Sequence, residues 1–144
     1  MVDANVITAK LLLLEEYYRD LTEIRDNPDN TLDKLKSDKW LRRSVERTLQ
    51  LAVECALDIG SHIISSEHWR EPADNKDIFA VLAENGVVTP EKLPTLQKMA
   101  QFRNVLVHDY ARLDPAILYT IVHKNLADIE YIITAVKARY VDKV

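Results

Sequence analysis

Apolar residues recur in this chain at alternating spacings of four and three over three stretches of 15 to 19 residues. That period is the seam of a long bundle helix and leaves little room for any other architecture. Ile7, Leu11, Leu14, Tyr18 and Leu21 form the first seam, widened by Leu13, Tyr17 and Ile24. Val45, Leu49, Ala52, Ala56, Ile59 and Ile63 form a second. Leu118, Val122, Ile129, Ile132 and Val136 form a third, with Asn125 in one slot, where a polar residue would fix register. Only two glycines occur in 144 residues, and no stretch alternates apolar with polar at the period of a strand. The expected fold is all-α: an up-and-down helical bundle of four long helices plus one short one, forming a single domain over residues 1–144.

Punctuation places the elements. The first helix is expected over residues 3–25 and ends at the turn Asn27-Pro28-Asp29-Asn30. One extra turn is expected over 31–36. The second helix runs over 37–65 with Ser37 as its N-cap. Gly60 inside it costs about 1 kcal/mol relative to Ala and suggests that another backbone passes close by. A polar loop holds Trp69, expected to pack as a lid on the bundle, with base stacking as the alternative. A short helix over 77–84 stops at Asn85-Gly86. Thr89-Pro90 opens a helix reaching about residue 112, interrupted by Pro94. Asp114-Pro115 opens the last, which runs to about residue 141.

Charge narrows the function classes. With 23 acidic and 19 basic residues the net charge is −4, so the chain is no general nucleic-acid coat. An RNA enzyme would need a local basic region, and Trp40-Leu41-Arg42-Arg43 with Arg47 is the obvious source; the bland reading is a solvated helix start. The single cysteine, Cys55, permits no intrachain disulfide and sits among apolar neighbours, as a buried thiol in a reducing cytoplasm would. No segment reaches the roughly 20 apolar residues that span a bilayer. The N-terminus has no basic leader, so no membrane or export signal is expected.

One stretch stands apart from this scaffold: Phe102-Arg103-Asn104-Val105-Leu106-Val107-His108-Asp109-Tyr110. At about 100° per residue, Met99, Phe102, Leu106 and Leu113 share a core arc, Asn104 and His108 stack as i,i+4 neighbours, and Arg103 nearly aligns with Tyr110. Ala100, Val107 and Ala111 lie among the polar groups, which points to a second, clefted face. A histidine takes and gives protons near neutral pH. An arginine is always charged and matches phosphate oxygens with a planar fork. Together they suit cleavage of an RNA phosphodiester without a metal, with His acting on the 2′-OH or the leaving oxygen and Arg stabilising the phosphorane. Chemistry alone leaves a structural Arg–His pair open. A stripe on the second helix, Arg47, Glu54, Asp58 and His62, could support this site or simply be solvated; the Glu-x-x-His pairs of a di-iron bundle are missing, and neither a metal nor another cofactor is expected.

The spacing Arg103-x4-His108-x-Tyr110 resembles the signature of the HEPN superfamily, and more narrowly the HepT-type toxins of prokaryotic toxin–antitoxin pairs. Ser44-Val45-Glu46-Arg47-Thr48-Leu49-Gln50 and Asp58-Ile59-Gly60-Ser61-His62-Ile63-Ile64 resemble that family's second helix, so the likeness covers nearly the whole chain. It implies a homodimer with two motifs facing across a cleft. It implies a metal-independent endoribonuclease toxin of a type VII-like pair. The partner it implies is an MntA-type nucleotidyltransferase antitoxin that adds AMP to the motif tyrosine. Carried over, Arg103 and His108 are the catalytic pair, Asn104 a polar helper and Tyr110 the modified residue; Asp58 and Arg47 are support on a less distinctive part of the pattern. Two other readings stay open: a non-catalytic nucleotide- and partner-binding module that presents Tyr110, and a plain helical dimer with a buried Arg–His–Tyr network.

Overall fold

The computed structural model describes residues 2–108 and 113–142. Seven α-helices and one 3₁₀ turn account for the regular structure among them. In chain order these are α1 (Ala4–Asp26), α2 (Leu32–Ser37), α3 (Lys39–Glu67), α4 (Asn75–Glu84), the 3₁₀ turn Pro90–Lys92, α5 (Leu93–His108), α6 (Pro115–Lys124) and α7 (Leu126–Tyr140).

Short acidic or hydroxyl side chains start most of these helices by taking up free backbone N–H groups. Asp3 accepts from Asn5 N, Thr31 from Lys34 N, Asp74 from Asp77 N and Asp114 from Ala116 N. The cap of α3 is Asp38, one residue later than expected, because its carboxylate reaches both Trp40 N and Leu41 N. Ser37 turns back instead and donates to Lys34 O. The 3₁₀ turn before α5 is the separate start that Pro94 implied.

The helix count differs from the expectation of four long helices and one short one. The extra turn over 31–36 is a helix in its own right, and the last long helix is two. Its break falls at Asn125, which is exposed and caps α6 with its N–H on Ile121 O. Asn125 is therefore not a register residue in a seam. A short amide side chain competes with the helical backbone and favours ends over interiors, and the break lets Leu126 enter the core.

The three seams meet in one core. Ile7, Leu11, Leu14 and Leu21 of α1 are buried with Val45, Leu49, Ala56, Ile59 and Ile63 of α3, Phe79 and Leu82 of α4, Leu96 and Ala100 of α5, and Ile129, Ile132 and Val136 of α7. Helix α1 packs on α3 and α7, and α5 packs on α3 and α4. At Gly60 the close approach comes from α4 side chains and not from backbone: a Cβ there would lie 2.6 Å from Ile78 Cγ2 and 3.3 Å from Leu82 Cδ1. Trp69 packs half-buried against the core, with the Arg139 guanidinium 5.8 Å from its ring centre. The loop before α4 is tied down by Arg70, whose guanidinium holds Asp77 at 2.7 Å and Glu84 at 2.8 Å.

Candidate functional site

Helix α5 carries the motif as far as His108, and α3 supplies the surface that Arg103 meets. Arg103 projects from α5 toward α3, where its Nε lies 3.5 Å from Glu54 Oε1. The two side chains are 32% and 36% exposed, so the pair is wet rather than buried. Arg103 lines an open cleft with Glu54, Leu57, Asp58 and Ser61 of α3 and Asn75 and Ile78 of α4. A guanidinium in such a position keeps donors free for a second anion.

The expected supporting residues fall in different places. Asp58 lines the Arg103 cleft, but its charge is taken by Lys10 of α1 at 2.5 Å. Glu54, in the same stripe, holds Arg103 instead. The stripe was visible in the sequence; which of its two acids faces α5 was not. Arg47, two helical turns before Glu54, is exposed and enters no ion pair among the described residues. Asn104 is exposed and lines a neighbouring cleft with Asp74, Asn75, Lys76 and Gln101, away from Arg103. His62 is half-buried, and its Nε2 has no hydrogen-bond partner among the described residues. His108 ends α5 by its backbone; the expectation for its side chain, and Tyr110, lie outside what the structure describes.

A second cleft flanks the Glu54–Asp58 ridge on its α1 side, lined by Ala9, Lys10, Leu13, Tyr17, Leu51 and Cys55. Burial, with the Asp58 carboxylate adding to it, pushes the Cys55 thiol up to about 11, and Sγ donates to Lys10 O at 3.5 Å. This is an inert structural thiol. A more enclosed apolar cavity of about 290 Å³ lies on another face of α5, between Leu49, Val53, Met99, Phe102, Ile121 and Ile129, with the buried Asp128 at its wall. It is lined by neither Arg103 nor the stripe; Arg103, Glu54 and Asp58 line the open cleft. No group of three or more His, Cys, Asp or Glu among the described residues could hold a metal ion. No helix among them is long and apolar enough to cross a membrane.

Comparison with known proteins settles the family. The profile described as "Ribonuclease HepT-like" matches residues 14–136, the span from α1 through α7 that builds this core and carries the motif. The chain belongs to the HepT-like ribonuclease family. It is 36% identical over 103 residues to the mRNA nuclease HepT of Shewanella oneidensis, covering 72% of this chain and 77% of that one. It is 29% identical over 114 residues to the tRNA nuclease HepT of Aphanizomenon flos-aquae, covering 79% and 76%. Among solved structures it is similar to a tri-AMPylated HEPN toxin of Shewanella oneidensis in complex with an MNT antitoxin, at TM-score 0.82 and 30% identity over 96% of this chain and all of that one. A toxin–antitoxin complex with AMP-PNP matches at TM-score 0.83 and 28% identity, over 94% and 99%. The all-helical architecture of this HepT-like chain is thus that of the HEPN toxins.

Proposed function

We propose that the chain is a metal-independent endoribonuclease toxin acting in the cytoplasm as a homodimer. The observation that carries this reading is the position of Arg103: on the motif helix of a HepT-like fold, a third exposed, at the wall of an open cleft. A guanidinium there can hold a phosphodiester by two of its N–H groups and stabilise the extra negative charge of the phosphorane. His108, five residues on, is the general acid–base. The 2′-OH attacks phosphorus as its proton passes to an imidazole, the P–O5′ bond breaks, and the departing 5′-oxygen takes a proton. The products are a 2′,3′-cyclic phosphate and a 5′-OH. Two facing copies bring two imidazoles to one cleft, one to accept and one to donate. Asp58 lines the same cleft as Arg103, Asn104 lines the neighbouring one, and Arg47 lies two turns back along α3 from Glu54.

A nucleotidyltransferase antitoxin of the MntA type is the inferred partner, with AMP attached to Tyr110. The similarity to the tri-AMPylated toxin in its antitoxin complex supports this. A bulky, negatively charged AMP seven residues on from Arg103 would compete with RNA for the phosphate position and repel it.

The test is cleavage of total RNA by wild type, Arg103→Ala and His108→Ala in excess chelator, alongside induction in bacteria. Cyclic phosphate ends and growth arrest with wild type alone support the reading. A requirement for Mg²⁺, or cutting by His108→Ala, refutes the mechanism; persistent cutting after full modification of Tyr110 refutes the regulation.

A further inference from the structure

At 100° per residue, Trp40, Arg43, Arg47, Glu54, Asp58 and Ser61 of α3 fall within an arc of about 60°. One face of a single helix therefore runs from the first turn of α3 to the Arg103 cleft, a rise of roughly 21 Å between Trp40 and Glu54. The two halves of this face differ in character. Near the motif it is acidic, but both acids are neutralised, Glu54 by Arg103 and Asp58 by Lys10. Toward the helix start it is basic and aromatic: Glu46 lies within electrostatic reach of Arg43, but neither Arg43 nor Arg47 closes an ion pair among the described residues.

Trp40 is 69% exposed, the most exposed large apolar side chain among the described residues. Two cations accompany it: Lys39 Nζ lies 5.0 Å and the Arg43 guanidinium 5.3 Å from its ring centre. Such contacts fix a ring's orientation while it stays in water. Arg43 and Arg47 are exposed and are in no ion pair among the described residues. Arg42 belongs to the structure instead, since its Nη1 caps α2 at Leu35 O and Lys36 O at 3.2 and 3.0 Å. A solvated helix start needs no exposed indole set between cations. Aromatic rings interleaved with a line of basic groups are what unpaired nucleic acid requires: a π-face for a base and point charges for the phosphates on either side.

The geometry points to a binding track for single-stranded RNA along this face, with a base stacked on Trp40, phosphates on Arg43 and Arg47, and the strand continuing to the scissile phosphate at Arg103. This deepens the ribonuclease reading and rests on it. It also lets a chain of net charge −4 bind a polyanion, because the basic groups are aligned on one helix face.

The test uses the full chain and a fluorescent single-stranded RNA whose 2′-OH groups are methylated, so that it binds without being cut. Anisotropy is read across a salt series, and cleavage of the unmodified strand is followed in parallel. Trp40→Ala is expected to weaken binding about tenfold, with Trp40→Phe keeping most of it, since a base stacks on either ring. Arg43→Gln with Arg47→Gln should lower the slope of log affinity against log salt by about 1.4, the counterions of two single-strand phosphates. Duplex RNA should be indifferent to Trp40→Ala. Unchanged affinity and KM in all three variants, while wild type still cuts RNA, would overturn the track and leave the enzyme reading standing. Failure of wild type to bind or cut RNA overturns both. Loss of nucleotidyltransferase binding, or of dimer, with RNA affinity intact assigns the face to a protein and overturns the proposal.

Discussion

Glu54 is the residue whose substitution tests the candidate site most sharply. It holds Arg103 at 3.5 Å, yet a phosphate bound to the same guanidinium would feel its negative charge. Glu54→Gln removes that charge and keeps an oxygen that can accept from Arg103 Nε, so orientation is largely preserved. The cost to stability is small: both side chains are about a third exposed, and pairs of that kind contribute about 0.2–1 kcal/mol after solvent screening. The effect on RNA is larger and of opposite sign. A carboxylate and a phosphate roughly 6 Å apart on either side of one guanidinium repel by about 0.7–1.4 kcal/mol at effective dielectrics between water and half that value. Glu54→Gln should therefore tighten RNA binding about three- to tenfold at low salt, and the gain should vanish as salt rises. Titration of a non-cleavable RNA into both proteins at several ionic strengths reads this directly. Weaker binding by the variant at every salt concentration would refute the argument and make Glu54 a group that RNA needs.

Arg103→Ala should abolish RNA cleavage while lowering stability by about 1 kcal/mol or less, as for a wet ion pair; a loss of several kcal/mol on chemical denaturation would restore the buried-network reading. Gly60→Ala gains about 1 kcal/mol of helix propensity but forces a methyl to 2.6 Å from Ile78 Cγ2, an overpacking cost of about 1–3 kcal/mol; the net expectation is a modest loss of stability, which a double-mutant cycle by thermal melts should show to shrink or reverse in an Ile78→Ala background that is itself destabilised. Asp77 is held well below its ordinary value by its hydrogen bonds to Arg70 and by the Ala73 N–H. Because its folded pKa is depressed, its contribution to stability is complete above the ordinary aspartate range and is lost as pH falls from there toward the folded value; in Arg70→Ala, NMR should find the carboxyl titrating closer to an ordinary aspartate. Cys55, pushed up to about 11 by burial, should resist thiol reagents at neutral pH in the folded protein and react on unfolding.

The helical bundle was legible in the sequence because its warrant is local. Four-three spacing, a near absence of glycine and short acidic caps each act within one or two turns. Boundaries set by a competition between neighbours were less so. Asp38 displaced Ser37 as the cap of α3 because a carboxylate reached two N–H groups, and Asn125 broke a seam that periodicity carried straight through it. The motif was legible as a string of chemistry-bearing groups, Arg103, His108 and Tyr110, and the family likeness drawn from it agrees with the match over residues 14–136.

What one helix could not disclose was which of its groups would be spent on another. Glu54 and Asp58 occupy one face of α3 and look equivalent in the sequence. The packing of α5 on one side and α1 on the other gives Glu54 to Arg103 and Asp58 to Lys10. The same packing set α4 side chains, not backbone, against Gly60 and left Arg103 at an open cleft rather than in the core. Periodicity determines which residues share a face, because that depends only on the rise and turn of one helix. Pairing across faces depends on how several helices cross, and only the assembled core determines that.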